Sequence, residues 1–216
     1  MLQQTQVDRV IPKYHEFLHK YPSLEALAAA RVGAVREAWC PLGYNIRPAR
    51  LHAIAREVVK KFDGQIPDDR DALLGLKGIG LYTAGAVLSF AYKRRAPILD
   101  TNVRRVLQRV FYGITKPGAA KQRDGVLWRL AEAILPRRFA YDVNQAMMDL
   151  GATVCVARTP RCALCPLRPI CRAYLHFVRQ AREARGDQRG PGRPAPGAGA
   201  SSRAVSRRTS RTDRGA

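Results

Sequence analysis

Apolar residues recur along the chain at the three-to-four spacing of helices, and no stretch sustains the strict alternation of a half-buried strand. Residues 2–18 predict a first helix, with Val7, Val10, Ile11, Tyr14, Phe17 and Leu18 on a common side and Pro12 as its weak point. Ser23 reads as the N-cap of a second helix that carries Leu24, Leu27 and Ala28 inward, with Glu25 favourable in the first turn. Residues 32–39 predict a third. After a break at 40–45, residues 48–62 predict a longer helix, apolar at Leu51, Ile54, Ala55, Val58 and Val59. Asp63-Gly64 and Pro67-Asp68-Asp69 are turn signals. A short apolar helix then ends at Leu76, and Gly78-Ile79-Gly80 supplies two residues free to take positive φ. A helix follows at once, with Ala84, Val87, Leu88 and Ala91 on its buried face. Further helices are predicted over 103–111 (Val103, Val106, Leu107, Val110), 125–135 (Trp128 and Leu130 inside) and 143–150, with Met147 and Met148 as core filler. The fold class expected from this pattern is all-α.

Charge changes the picture. The 216 residues carry a formal net charge of +21, which implies a polyanionic partner, either nucleic acid or an anionic membrane surface. No apolar run approaches the length of a spanning helix, and no signal peptide precedes the first helix, so nucleic acid is favoured and a cytoplasmic, nucleoid-associated protein is expected. Part of the excess lies in residues 181–216, which hold nine Arg against three acids, with six Gly and three Pro. Such a segment buries too little apolar surface to offset its ordering entropy, and residues 180–216 are expected to be disordered. The remainder of the chain is basic as well.

Cysteine adds chemistry. Four of the five cysteines, Cys155, Cys162, Cys165 and Cys171, fall in one short stretch, separated by six, two and five residues. Without a secretory signal, a metal site is favoured over a disulfide framework. Structural zinc usually shows two C-x-x-C pairs, whereas only Cys162 and Cys165 are so paired; four thiolates in a compact loop suit an iron–sulfur cubane better. Cys40 stands apart and reads as a small buried residue.

The stretch from Leu76 to Asn102 joins these signals. Backbone amides at the Gly78-Ile79-Gly80 turn, with Lys77 beside them, form a candidate phosphate site. Asp100 follows an apolar run and heads the next helix. Taken singly, the glycines suit an ordinary helix end and tight turn, and the aspartate an N-cap. In combination, the hairpin, the apolar helix and "LDTNVRRVL" resemble the helix-hairpin-helix DNA glycosylases, whose essential aspartate stands at the place of Asp100. "MLQQTQV", "PLGYN" and "VNQAMMDLGATVC" are similar to the adenine glycosylases of the MutY type within that superfamily. The cysteine spacing is that of the [4Fe–4S] loop in the endonuclease III and adenine glycosylase branch.

The resemblance, which covers about residues 1–175, implies a helical barrel module over 1–111 containing the hairpin (76–91) and a helical [4Fe–4S] module over 112–179. It implies that Gln4 and Tyr44 push into the DNA stack, that Lys77, Gly78 and Gly80 contact the backbone, and that Asp100, steadied by Asn102, stabilises an oxocarbenium-like sugar. The bifunctional branch has a nucleophilic lysine at the position of Tyr82; tyrosine forms no imine, so strand cleavage by that route is disfavoured, and Tyr82 is left to assist Asp100. The expected partner is double-stranded DNA with a mispaired or damaged base, bound by a monomer. The expected reaction is hydrolysis of the glycosidic bond of adenine opposite guanine or 8-oxoguanine. A thymine or uracil mismatch glycosylase, or an inert DNA-binding relative, is the alternative. The chain departs from the pattern at Pro41, Asn45 and Lys77. The family's proton-donating glutamate falls two residues before Met1, so translation is expected to begin upstream. The family's lesion-reading second domain has no counterpart after Phe177.

Overall fold

The computed structural model describes residues 1–2, 5–43, 46–114 and 124–183. Gln4, Tyr44, Asn45 and the Arg-rich stretch from residue 184 onward lie outside them. All regular elements among the described residues are helical.

The first helix, α1 (Val7–Lys20), starts five residues later than expected and keeps Pro12 inside it. Its six apolar residues do not share a buried side. Val10 and Phe17 are buried, whereas Val7, Ile11, Tyr14 and Leu18 stand 45–57% exposed. The reason is that α1 meets α3 (Val32–Trp39) along one narrow seam, which covers a single stripe. Between them, α2 (Leu24–Ala29) is capped by Ser23, whose Oγ accepts the Ala26 amide at 3.2 Å. The long α4 (Ile46–Phe62) packs on both α2 and α3. The periodicity passed over His52 of α4, which is buried, its Nε2 donating to the Ala30 carbonyl at 2.9 Å. Phe17, Leu27, Val35, Trp39 and Ala55 make this first core, with the Phe17 ring edge-on to Trp39. Cys40 is exposed rather than buried, because it caps the end of α3 where the chain leaves the core.

A second core of Val58, Leu73, Leu76, Ala84 and Leu88 joins α4 to α5 (Arg70–Gly75) and α6 (Leu81–Ala86). Asp69 caps α5, its Oδ1 accepting the Asp71 and Ala72 amides at 3.0 and 2.9 Å. After Ala86 the helix widens into a π-turn, Val87–Ala91. The extra residue per turn rotates the helix face, which is why Ala91 is exposed instead of continuing the buried stripe.

The third core lies between α7 (Thr101–Tyr112), α8 (Asp124–Ala133) and α9 (Ala140–Asp149). Leu127 and Ala131 fill it from α8, while Trp128 and Leu130 only flank it. A second π-turn, Leu150–Val154, continues α9, and α10 (Tyr174–Glu183) follows the cysteine loop. Residues 180–183, expected to be disordered, are therefore helical.

Two contacts place the extended run before Asp100. The buried Asn144 of α9 donates through Nδ2 to Ser89 Oγ and to the Ala96 carbonyl, both at 2.9 Å. Gly85 of α6 lies so close to the run that a Cβ there would come within 2.2 Å of the Pro97 carbonyl oxygen.

Candidate active site

The hairpin between α5 and α6 is closed by the Ile79 amide donating to the Leu76 carbonyl at 3.0 Å. Gly78 alone uses the positive φ that glycine permits (+104°); Gly80 is extended at −103°. Ile79 packs against the second core and anchors the turn, leaving Lys77, Gly78 and Gly80 exposed. The Arg50 side chain of α4 lies over Gly78, within 3.4 Å of where a Cβ would be. Exposed amides flanked by two cations make a site suited to an anion.

Asp100 is the N-cap of α7, Oδ1 accepting the Val103 amide at 2.7 Å. Its other oxygen, Oδ2, accepts from Asn102 Nδ2 at 3.1 Å. The Asn102 carbonyl oxygen in turn accepts from Arg105 Nη2 at 2.8 Å. Guanidinium only donates, so this contact orients the amide and turns its NH₂ toward Asp100. Arg105 also donates to the Gly151 carbonyl (2.7 Å) and, through Nε, to the Cys155 carbonyl (2.8 Å). A hydrogen-bonded line thus runs from the carboxylate to the first clustered cysteine. Tyr82, half-buried on α6, lies within electrostatic reach of the same carboxylate: burial pushes its phenol above the usual range, and the Asp100 charge adds to the rise. The arrangement offers an oriented carboxylate, with a phenol rather than an amine at position 82.

Cys155, Cys162, Cys165 and Cys171 line one cavity, closed by Val106, Arg109 and Phe177 among others. The thiols ring this space; among the described residues no three His, Cys, Asp or Glu side chains gather closely enough to hold a single ion. Burial pushes the Cys162 and Cys171 thiols up, and the Cys155 sulfur adds to both. Arg109, one turn beyond Arg105, brings its guanidinium 3.4 Å from Cys155 Sγ and donates to the Val156 and Ala157 carbonyls at 2.7 Å each. The loop closes on the end of α7, where the Arg172 and Ala173 amides donate to the Val110 and Arg109 carbonyls at 3.1 Å. Four sulfur donors around one space, with an arginine beside them, fit a group larger than one ion. Arg158, Arg161, Arg168 and Arg172 all stand on the exposed side of the loop.

The structure therefore brings Asp100, Asn102 and Tyr82 together, gathers the four cysteines around one cavity and places Lys77, Gly78 and Gly80 on a separate exposed turn. Gln4 and Tyr44 are not among the described residues. Arg105, Arg109 and Asn144 escaped the sequence reading. The first two carry a faint signal, a pair of arginines four apart on the polar side of α7; Asn144 carries none, because its partners are 48 and 55 residues away.

The family model described as HhH-GPD superfamily base excision DNA repair protein matches residues 1–132, which span the hairpin, Tyr82 and Asp100. The chain belongs to the HhH-GPD superfamily. Among its relatives in this superfamily, the adenine DNA glycosylase of Mycolicibacterium smegmatis is 45% identical over 168 residues, covering 77% of this chain and 56% of that protein. The thymine/uracil-DNA glycosylase of Pyrobaculum aerophilum is 41% identical over 170 residues, covering 77% of this chain and 74% of that protein. The chain spans about a third to a half of the length of the adenine DNA glycosylases it matches. Among solved HhH-GPD structures, a thermostable thymine-DNA glycosylase superposes with a TM-score of 0.73 at 30% identity, over 81% of this chain and 80% of that one. A non-covalent endonuclease III–DNA complex superposes with a TM-score of 0.68 at 25% identity, over 82% and 80%.

Proposed function

We propose that the chain is a monofunctional DNA glycosylase that hydrolyses the glycosidic bond of adenine mispaired with guanine or 8-oxoguanine, acting as a monomer on double-stranded DNA in base excision repair. The observation that carries this reading is Asp100 at the head of α7, its carboxylate oriented by the Val103 amide and Asn102. As the bond between C1′ and the purine nitrogen breaks, positive charge develops on the sugar, and a fixed carboxylate lowers that barrier. Water then adds its hydroxide to C1′, and the departing adenine takes up a proton. With tyrosine rather than lysine at position 82, no imine forms there, so the sugar is released as an abasic site and the strand stays intact.

In this reading Cys155, Cys162, Cys165 and Cys171 hold a [4Fe–4S] cluster. Four donors ringing a cavity suit a multi-iron group, whereas zinc bonds of about 2.3 Å require convergence on one point. A cluster held by these four cysteines would cross-link the loop, and Arg158, Arg161, Arg168 and Arg172 on it would meet the DNA backbone.

A second reading, a thymine or uracil mismatch glycosylase, is favoured by one observation: the Pyrobaculum relative is 41% identical to this chain, near the 45% of the adenine glycosylase. Binding and excision on duplexes bearing A·G, A·8-oxoguanine, T·G and U·G separate the two. Adenine release, with tightest binding to the A-containing mispairs, is the expected result. Release of thymine or uracil assigns the chain to the second reading, and mispair binding without release of any base identifies an inert relative.

A further inference from the structure

Asn144, near the middle of α9, is 4% exposed, and its Nδ2 donates to two acceptors, Ser89 Oγ and the Ala96 carbonyl, each at 2.9 Å. Ser89 is fully buried in the π-turn that continues α6, and Ala96, also buried, opens the extended run that ends at Asp100. Tyr82 stands on α6 and Asp100 at the end of the run, so one amide fastens together the two segments that carry the candidate chemistry. The two N–H bonds of a planar amide diverge at a fixed angle and so also set the separation of their acceptors. Further along the run, the Pro97 carbonyl lies against Gly85 of α6, and past its end Asn102 abuts Gly151 in the π-turn that follows α9. Asp100 is therefore held between two points of contact with α9 and its extension, Asn144 on one side and Gly151 on the other. Among the described residues the buried polar side chains are His52, Ser89 and Asn144, and two of these three make this single contact. An apolar pair of the same shape would stabilise the interior about as well, so the polar contact is distinguished by what it positions.

We propose that Asn144 is a positioning residue for base excision: it sets where the run from Ala96 to Asp100 lies against α6, and with it the place of the Asp100 carboxylate at the sugar. This rests on the reading that Asp100 stabilises the charge developing at C1′. Without the Asn144 amide the buried Ala96 carbonyl loses its donor, which is costly enough to drive it toward another partner. The carbonyl lies four residues before Asp100, and the run moves with it. A displacement of about 1 Å is enough to slow a reaction about a hundredfold, because the carboxylate must meet the sugar at close range. Binding is less sensitive, since the exposed cations of the hairpin and the cysteine loop stand on other elements.

The test measures single-turnover excision and affinity on an A·8-oxoguanine duplex. Asn144→Ala is expected to lower the excision rate about 10- to 100-fold and to leave affinity within about threefold. Asn144→Ala added to Asp100→Asn should slow excision no further than Asp100→Asn alone, since both act through one carboxylate. A second readout is the Tyr82 titration, to which the Asp100 charge contributes, followed as the alkaline absorbance change that Tyr82→Phe lacks. Asp100→Asn should move that titration less in the Asn144→Ala background than in the wild type, because the carboxylate has left its place. A wild-type rate in Asn144→Ala, rate losses that add in full, a fall in affinity that matches the fall in rate, or an undiminished Asp100 effect on Tyr82 overturns the proposal. If the wild type releases no base, or Asp100→Asn releases it at the wild-type rate, the reading of Asp100 itself falls. If Asp100→Asn is slow and Asn144→Ala is not, that reading stands and the positioning role is wrong. Should Asn144→Ala melt below the assay temperature, Ser89→Ala takes its place with the same outcomes. That variant removes one of the two contacts and leaves the bond to Ala96.

Discussion

Asp100 divides two tasks between its two oxygens. Oδ1 caps α7, and Oδ2 is held by Asn102 with lone pairs to spare for a positively charged sugar. Asn at this position keeps a side-chain oxygen for the cap and the same size, but it brings no negative charge to the transition state. Asp100→Asn is therefore expected to reduce the single-turnover rate of base excision by about 10² to 10³, the range seen for removal of one preorganised electrostatic partner. DNA affinity should remain within about twofold. A parallel fall in affinity would mean that Asp100 serves binding. The same substitution has a spectroscopic consequence. Burial is the larger cause of the raised Tyr82 phenol and the Asp100 charge the smaller one. Asp100→Asn should thus move the Tyr82 titration partway back toward the ordinary tyrosine range, read as the alkaline absorbance change missing from Tyr82→Phe. No movement would show that the two groups do not face each other. Asp100 was legible in the sequence because an acid between an apolar run and a helix is a local signal. Asn144 was not, because its bonding partners are set by tertiary packing and leave no mark on local periodicity.

At the scale of elements, α7 is the part that joins the candidate chemistry to the cysteine loop. Asp100 stands at its head, Arg105 and Arg109 project from it to the loop backbone, and its last carbonyls receive the loop's amides. The contact depends on a glycine. A Cβ at Gly151 would lie 2.7 Å from Asn102 Cβ and 3.1 Å from its backbone, closer than real atoms pack. Gly151→Ala should force the π-turn away from α7, costing about 1–3 kcal/mol of stability as overpacking does, measured by urea unfolding. The excision rate should fall further than DNA affinity, because Asn102 is displaced. An alanine variant as stable and active as the wild type would show that the π-turn yields freely. The loop carries a second prediction. Protein purified anaerobically should be yellow-brown and contain about four iron atoms per chain, as a cubane requires. One tightly bound zinc without iron would instead assign the cavity to a structural zinc site. Helix positions along the chain were legible to within a few residues, since amphipathic periodicity survives in most of them. The π-turns were not, because they arise where a helix must widen to fit its neighbours, at Val87–Ala91 against α9 and at Leu150–Val154 against α7.

For the molecule as a whole, the net charge of +21 sets how binding responds to salt. Two groups of described cations stand at candidate DNA-facing sites: Lys77 and Arg50 at the hairpin, and Arg158, Arg161, Arg168 and Arg172 on the cysteine loop. Composition made the polyanionic partner legible, but it could not separate cations facing DNA from those spent on internal carbonyls. Arg95, for example, donates to the Glu132 and Leu135 carbonyls, and Arg105 and Arg109 are likewise committed within the fold. Net charge therefore overstates the number of phosphates neutralised, and the salt slope counts only those that release counterions. Each such contact adds about 0.9 to the slope of log K against log salt. Replacing Arg158 and Arg161 together by alanine should lower that slope by about 2, weakening matched and mispaired duplexes equally. The double Arg95 and Arg109 replacement, by contrast, should leave the slope unchanged and lower the melting temperature. If the loop pair leaves the slope intact, Arg158 and Arg161 do not touch the DNA backbone, and the electrostatic contact is carried by other cations, the hairpin with its neighbouring Arg50 first among the candidates.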